Sequence, residues 1–240
     1  MYLRRQAGQA TVETALLLSL MLVISLLALQ LLWIFWQQHT LQLATSYALR
    51  SGAIANGNHS DMSTTLVSLL SSTQMPKLAA DEQPGLALAM RAYATEWVNF
   101  QRFGEVRILR PGKATQREFS EPRVGIQNRT TEGFQPGLSR TKRLRKWTEI
   151  SVDHARARYA AATDKPAWLA ARQLEIEVVL CMPLQLPVAA TLLAAVHNWW
   201  TEHPANHFCR ARQVLSSDPL WPLSHRLSGP MLSGFHSSGS

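Results

Sequence analysis

Glu13 needs a chemical explanation, because it opens a long stretch of the chain without formal charge. The next charged residue is Arg50. An ionised side chain at the centre of a membrane helix costs about 2.5 kcal/mol or more. The cost is lower near the start of a helix, where the positive end of the helix dipole favours an anion. Thr11 or Thr14 could also cap nearby amides. We therefore expect a specific role for this carboxylate.

Cys181 and Cys209 are the two cysteines of the chain, which are too few for a cysteine-rich scaffold or a four-cysteine zinc site. In an oxidising exported compartment we expect them to form a disulfide. Such a bond stabilises a fold by roughly 3–4 kcal/mol in the loop-entropy description. Two unpaired buried thiols are the alternative.

Three histidines, His197, His203 and His207, lie close to Cys209 in the sequence. His203 and His207 would share one face of a helix, as metal ligands often do. Pro204 lies between them, however, and the HExxH order of metalloproteases is missing. We interpret them as surface histidines and predict no metal site and no cofactor.

The sequence shows no pattern of catalytic residues. GxSxG, a phosphate loop, a dinucleotide fingerprint and a close pair of acids flanked by a cleft pattern are all missing. We name no catalytic residue and predict that the protein is not an enzyme.

The elements that position Glu13 begin with an uncharged apolar segment of 22 residues, from Ala15 to Trp36. As a helix it would be about 33 Å long at ~1.5 Å per residue, which matches a bilayer hydrocarbon core of roughly 30 Å. Aromatic residues at its end, including Phe35, would lie at the lipid–water boundary. The predicted membrane anchor includes Ala15, Leu22, Leu29, Trp33 and Trp36.

Arg4 and Arg5 precede this segment. The positive-inside rule predicts a cytoplasmic N-terminus and an exported remainder. The alternative is a cleaved secretion signal, whose apolar core usually has about 7–15 residues and ends in small residues. The segment here is longer and ends in bulky aromatic residues, which favours a retained helix.

Apolar residues continue at helical spacing beyond Trp36, at Leu41, Ala44 and Ala48. The sequence Asn56-Gly57-Asn58 is typical of a helix end and a turn. One helix is therefore predicted from about Thr11 to about Ala55.

The run GQATVE, residues Gly8 to Glu13, followed by an apolar helix resembles the processing site of type IV prepilins and pseudopilins. The resemblance implies cleavage after Gly8 and a mature chain that begins at Gln9. It also implies that Glu13 pairs with the N-terminal amine of a neighbouring subunit, since opposite charges attract strongly in a low dielectric. A flexible leader followed by an ordinary helix-start acid is the alternative.

The sequence RRQAGQATVETALLL, together with the small-residue segment from Ala48 to Ala53, resembles the TadE-like proteins of tight-adherence (Flp-type) pilus systems. The resemblance covers residues 4–55 well and the rest loosely. It implies a pseudopilin or minor pilin in the assembly of a type IVb pilus for cell adhesion. The implied partners are the membrane, other pilins or pseudopilins, a prepilin peptidase and an inner-membrane assembly platform.

The resemblance also implies a location: a single pass through the inner (cytoplasmic) membrane, with the C-terminal domain in the periplasm. The predicted organisation is a prepilin-type leader over 1–8, the membrane helix and its extension over 9–55, and an exported α+β domain over 56–240. Whether the protein enters the filament stays open at this point.

Within the exported part, residues Gln83 to Phe100 predict an amphipathic helix whose core stripe is Leu86, Met90, Tyr93, Trp97 and Phe100. Strands are expected around Val106 and Ile108 and over Arg172 to Leu180. A long basic loop with at most short strands is expected at about 112–148. The second apolar stretch, residues 178–196, is interrupted by prolines and predicts a buried strand and a short helix, with a second membrane span as the alternative.

The chain carries a net charge of +8, and its strongest basic run extends from Arg140 to Lys146. No nucleic-acid recognition motif accompanies this run, so we predict no nucleic-acid partner and interpret it as a solvated face or a patch for anionic surfaces. Two other functions stay possible from the sequence: a membrane-anchored periplasmic binding module without a filament role, and an anchored hydrolase with an unrecognised site.

Overall fold

The computed structural model describes residues 6–72, 85–128, 142–184, 193, 195 and 204–236. A long apolar N-terminal helix is followed by shorter helices and two β-sheets among the described residues, which confirms the predicted α+β class. The helices are α1 (Gln6–Ile54), α2 (His59–Ser71), α3 (Leu86–Phe103), α4 (Lys113–Phe119), α5 (Ala155–Ala161), α6 (Lys165–Ala170) and α7 (Pro204–Arg212). The strands are β1 (Gly104–Arg110), β2 (Glu121–Asn128), β3 (Lys142–Glu149), β4 (Gln173–Pro183) and β5 (Leu220–Pro230), with a short 3₁₀ turn at Gln213–Leu215.

Helix α1 continues well past the apolar segment, as the sequence predicts. Neither glycine nor proline occurs between Gln9 and Ser51, so nothing in the chain interrupts the helical hydrogen bonds. The helix ends where Asn56 and Gly57 adopt left-handed backbone angles, with φ values of 59° and 76°. The amide of Gly57 then donates to the carbonyl of Gly52 over 2.8 Å, which closes the helix.

Helix α2 begins directly after this turn. The side chain of Asn58 accepts a hydrogen bond from the amide of Ser60 over 3.0 Å and so caps the helix start. Met62 and Leu66 are fully buried on the inner face of α2.

The chain divides into two compact units. The first contains Met1–Ala44, Leu70–Glu105 and Val178–His225. The second contains Thr45–Leu69, Val106–Glu177 and Arg226–Ser240. The predicted boundaries at residues 8 and 55 stay predictions.

Strands β1, β4 and β5 form one sheet in that order. The predicted strands around Val106 and over residues 172–180 are thus confirmed as β1 and β4. Strand β4 is buried along most of its length because both of its faces carry apolar residues, such as the adjacent Val178 and Val179.

The predicted long loop at 112–148 is wrong for the described residues of that range. Helix α4 and an antiparallel pair of strands lie there, with Glu121 of β2 opposite Glu149 and Asn128 opposite Lys142 of β3. The sequence of β3, KRLRKWTE, lacks the apolar alternation that marks a strand. The strand is therefore stabilised by its pairing with β2 and not by an apolar pattern of its own. Residues 142–146 of the basic run belong to β3, and Arg140 and Thr141 lie outside the described residues.

Helix α3 exists as predicted, but it buries a different face. Its buried residues are Leu88, Ala92, Glu96 and Phe100, so only Phe100 of the predicted stripe is among them. Leu86 is 79% exposed and Met90 is 65% exposed. The buried face carries small Ala92, which permits a close approach to neighbouring elements, and α7 lies against α3.

The second apolar stretch is described only in part. Its first residues complete β4, as the predicted buried strand requires. The short helix expected from about Val188 to Trp200, and the alternative second membrane span, lie largely outside the described residues.

Candidate membrane and assembly surface on the N-terminal helix

Gly8, Gln9 and Glu13 all belong to helix α1. Gln9 and Glu13 are four residues apart, which is about one helical turn. Residues at this spacing share one side of a helix. The side chain of Glu13 is exposed.

The apolar segment of α1 is a surface rather than a core. Every side chain from Val12 to Leu22 is exposed, and so are Leu29 and Trp36. Within the described residues, Val12–Ile54 is the one helix that is long and apolar enough to cross a membrane, and only 6% of its most apolar stretch is buried. The core helix of a soluble protein would be mostly buried, whereas an N-terminal signal sequence would share these properties.

The hydroxyl groups within this segment are hydrogen-bonded inside the helix. Ser19 donates to the carbonyl of Ala15 over 2.7 Å, and Ser25 donates to the carbonyl of Met21 over 2.8 Å. In lipid, no water is present to satisfy a polar group, so such internal bonds are required there. The segment therefore meets the polar requirement of a membrane environment at these two positions.

One face of α1 becomes covered as the helix proceeds. From Val23 to Leu41, the residues that are partly or fully covered follow helical spacing: Val23, Leu26, Leu27, Gln30, Trp33, Ile34, Gln37, Gln38, Thr40 and Leu41. Gln30, the strongly polar residue of the predicted anchor, is only 2% exposed. The polar side chain thus faces protein, while apolar side chains on the other faces remain exposed.

The last turns of α1 carry the small-residue segment, and they pack tightly. A Cβ atom at Gly52 would lie 2.7 Å from Cγ of Met62 and 3.1 Å from Cδ2 of Leu174, so only glycine fits without rearrangement. The carbonyl of Ala53 accepts hydrogen bonds from the amides of Leu232 and Ser233 over 3.0 and 2.9 Å. Small residues here let the helix approach α2, β4 and the segment after β5.

The comparison with protein families bears on this helix. Residues 8–50 match the family model described as TadE-like protein. This segment is TadE-like. No curated protein and no solved structure matches the chain. The match confirms the suspected resemblance and supports a pilin-like protein associated with tight-adherence pili.

The TadE-like segment includes Gly8, Glu13, the exposed apolar surface and the first half of the small-residue segment. Gly52 and Ala53, whose contacts hold the helix end, lie just beyond the match. The sheets and the later helices are likewise outside it.

Away from the TadE-like segment, Cys181 of β4 and Cys209 of α7 form a disulfide with Cα atoms 5.5 Å apart. Both residues are buried. The bond holds α7 close to the end of β4, although 28 positions separate the two residues in the sequence.

Sequence reasoning missed a cluster of charged and polar residues around Arg123 of β2. Its guanidinium contacts Asp153 over 2.6 Å and Glu149 over 3.1 Å, and it also donates to the hydroxyl of Ser151. These contacts connect β2 with β3 and with the segment that follows β3. The participants lie far apart in sequence, so no local spacing could reveal them.

A second unpredicted feature is the buried guanidinium of Arg172. It stacks on the ring of Trp168 at 3.7 Å and donates to the carbonyls of Ser151 and Trp168 over 2.9 and 3.1 Å. Burial lowers the pKa of Arg172 because it disfavours the charged form, and repulsion from Arg158 lowers it further. These contacts give Arg172 a structural role, because they join the end of α6 to Ser151.

Glu175 of β4 lies between two arginines. Arg226 of β5 donates to one carboxylate oxygen, and Nε of Arg110 of β1 lies 3.1 Å from the other. The hydrogen bond from Arg226 lowers the pKa of Glu175, burial opposes this effect, and the positive charges of Arg226 and Arg110 lower the pKa further. The carboxylate therefore ties neighbouring strands of the sheet together.

The histidine cluster is only partly described. His207 is exposed on α7, and His197 and His203 lie outside the described residues. In the described part of the chain, no group of three His, Cys, Asp or Glu side chains is arranged to hold a metal ion.

Proposed function

We propose that this chain is a TadE-like pseudopilin or minor pilin that acts in the assembly of a tight-adherence (Flp-type) pilus. The observation that carries the proposal is the coincidence of two features on one helix. The family match begins at Gly8 and continues through the whole exposed apolar segment. The proposed role is structural and involves no catalytic residue.

Anchoring in the inner membrane is the first part of this function. Exposed apolar side chains over a length that matches the bilayer core would be unfavourable in water and favourable in lipid. The internally bonded hydroxyls of Ser19 and Ser25 support the same environment. Arg4 and Arg5 then favour a cytoplasmic N-terminus and a periplasmic remainder.

Processing by a prepilin peptidase is the second part. Cleavage after Gly8 would make Gln9 the N-terminal residue, with its amine about one turn from Glu13. In the assembly, Glu13 would pair with the N-terminal amine of an adjacent subunit and so set their axial register. The pairing is favourable in lipid because each charge alone would be costly there.

Assembly is the third part. The apolar side chains of α1 would exchange lipid contacts for contacts with helices of other pilins or pseudopilins at an assembly platform. The small-residue segment packs the end of α1 against α2, β4 and the segment after β5, so a helix that moves into a filament would carry these elements with it.

N-terminal sequencing of the protein extracted from membranes tests the proposal. We expect the chain to start at Gln9 in cells that contain the peptidase, and at Met1 in cells that lack it. A Gly8→Val variant should keep its leader in both strains. A wild-type chain that starts at Met1 in the presence of an active peptidase would remove the processing step.

A membrane-anchored periplasmic binding module is the second candidate, since the chain beyond residue 50 lies outside the family match. This function predicts an unprocessed N-terminus and no effect of Glu13→Ala on piliation. The same sequencing experiment therefore separates the two candidates.

A further inference from the structure

An open apolar groove of about 840 Å³ lies between helix α1 and the start of strand β5. Leu31, Ile34 and Phe35 contribute from the helix, and Trp221, Pro222 and Leu223 contribute from the strand. None of the described residues that line this groove, which we call the β5 groove, carries a charge. An apolar surface of this kind requires an apolar occupant or loses stability in water.

The position of the β5 groove along α1, compared with the thickness of the bilayer core, identifies the occupant. A bilayer core of about 30 Å requires about 20 helical residues. Counted from Val12, such a span ends at Leu31, and counted from Ala15 it ends at Ile34. Both end points line the β5 groove, so its helix wall lies where the hydrocarbon core gives way to the headgroups.

The covered face of α1 supports the same position of the bilayer along the helix. Among the side chains of α1 that the structure describes, those from Val12 to Leu22 form the stretch that is exposed on every side, and these 11 residues span about 16 Å. This is roughly half of a hydrocarbon core. The bilayer must therefore extend to helix residues that protein already covers on one face, such as Gln30.

Both walls of the β5 groove change from apolar to polar at the same place. Gln37 and Gln38 follow Trp36 on the helix, and Ser224 and His225 follow Leu223 on the strand. The side-chain amide of Gln38 donates to the carbonyl of Ser224 over 3.2 Å, which joins the two walls at this polar edge. Such an aligned change in polarity is expected at a membrane surface, where tryptophan is also enriched.

The turn before β5 adds apolar surface. Val214 is 90% exposed and Leu215 is also exposed. The side chain of Gln213 fixes this turn to the strand, because it donates to the carbonyl of Asp218 over 2.8 Å and accepts from the amide of Leu220 over 3.0 Å. Asp218 is exposed in the same segment, and its charge restricts the turn to the headgroup region.

We infer that acyl chains of the periplasmic leaflet fill the β5 groove and that Trp221 anchors the start of β5 at the headgroup level. The inference rests on the proposed membrane anchoring of α1. It adds a second membrane contact, formed by a strand far from the N-terminus. The start of β5 would then lie against the bilayer.

A single fluorescent label can test this contact. Both cysteines of the chain are in the disulfide, so an introduced cysteine is the one free thiol. Ser224→Cys places a label in the β5 groove. Ser228→Cys is the matched control, since it makes the same change on an exposed residue of the same strand about 13 Å further along.

The labelled full-length proteins are placed in vesicles of phosphatidylethanolamine and phosphatidylglycerol that contain doxyl-labelled lipid. We expect lipid with the doxyl group near the headgroup to quench the label at position 224 about twofold or more, and the label at position 228 little. Lipid with the doxyl group at the chain end should quench position 224 less. Equal and weak quenching at both positions would overturn the inference.

Leu18→Cys separates this inference from the proposed anchoring, because Leu18 is exposed in the middle of the apolar segment. Quenching at position 18 without quenching at position 224 keeps the anchor and overturns the groove contact. No quenching at position 18 overturns the anchor itself. Energy transfer between labels at position 224 of different molecules, without lipid quenching, would show that a second copy occupies the β5 groove and would also overturn the inference.

Discussion

Gly52 shows how one residue can determine the packing of the last turns of α1. A Cβ atom there would meet side-chain atoms of Met62 and Leu174, and both of these residues are fully buried. Neither can turn outward into solvent to make room. We expect Gly52→Ala to lower the free energy of unfolding by about 1–3 kcal/mol, because overpacking outweighs the better helix propensity of alanine.

Denaturant unfolding of the detergent-solubilised protein would measure the effect of Gly52→Ala. Gly112→Ala is the matched control, since a Cβ at Gly112 would meet no atom of the described chain within 4 Å and its φ of −71° suits alanine. Similar stabilities for the two variants would contradict the interpretation of a close approach at Gly52.

Glu175 leads to a prediction about pH. Its pKa is lower in the folded protein than in the unfolded chain, chiefly because Arg226 donates to the carboxylate. A lowered carboxyl pKa contributes stability above the unfolded pKa, and this contribution is lost as the pH falls through the folded value. Stability should therefore decline below about pH 4.5, which is the ordinary pKa of a glutamate.

The variant Glu175→Gln should be less stable than wild type at neutral pH and should show a smaller decline on acidification. Thermal unfolding from neutral to acidic pH would measure both effects. Glu118→Gln serves as control, because Glu118 is exposed and forms no ion pair with other described residues. If Glu175→Gln retained the acid sensitivity of wild type, the arginine contacts would not be its source.

The bonded cysteine pair was predictable from the sequence, because the chain has no cysteine besides Cys181 and Cys209. Glu13 stands out because an uncharged stretch follows it, and its role stays a prediction. Arg123 and Trp221 gave no such signal. Their partners come from segments distant in the sequence, so only the folded chain brings them together.

At the scale of elements, the disulfide joins β4 to α7 across a segment rich in apolar residues. Replacing both cysteines with serine should lower the free energy of unfolding by about 3–4 kcal/mol, because the unfolded chain regains the entropy of an open loop. Unfolding of oxidised wild type and of the double variant would measure this loss. The double variant should also make stability insensitive to reductant.

Mass spectrometry under non-reducing conditions provides the direct check on the cysteine pair. The intact protein from the periplasmic side should lack the mass of two protons relative to the reduced chain. Alkylation of both cysteines without prior reduction would contradict the pairing.

Elements were predictable in proportion to the strength of their own periodicity. Helix α1 and strands β1 and β4 carry clear apolar patterns and occur where the sequence places them. The antiparallel pair of β2 and β3 was not predicted. Charged residues dominate the sequence of β3, and its pairing with β2 stabilises the strand. For α3 the pattern predicts the helix but not its buried face, because packing against neighbours selects between two apolar faces.

At the scale of the whole molecule, the proposed assembly depends on the negative charge of Glu13 near the N-terminal end of the apolar helix. Glu13→Gln keeps the size of the side chain but removes its charge, so insertion and cleavage after Gly8 should be unchanged. Association with neighbouring subunits should fall about tenfold or more, since their N-terminal amines would lack a counter-charge in lipid. Cross-linking in membranes and the counting of surface pili would measure association and assembly separately.

The variant Glu13→Asp distinguishes charge pairing from the mere presence of a polar residue at this position. It restores the carboxylate on a side chain that is one methylene shorter, so it should recover more association than Glu13→Gln does. Glu118→Gln removes a carboxylate outside the TadE-like segment and should leave piliation unchanged. If Glu13→Gln assembled normally, the anchoring helix would not need this carboxylate for register, and apolar contacts between helices would be the sole basis of assembly.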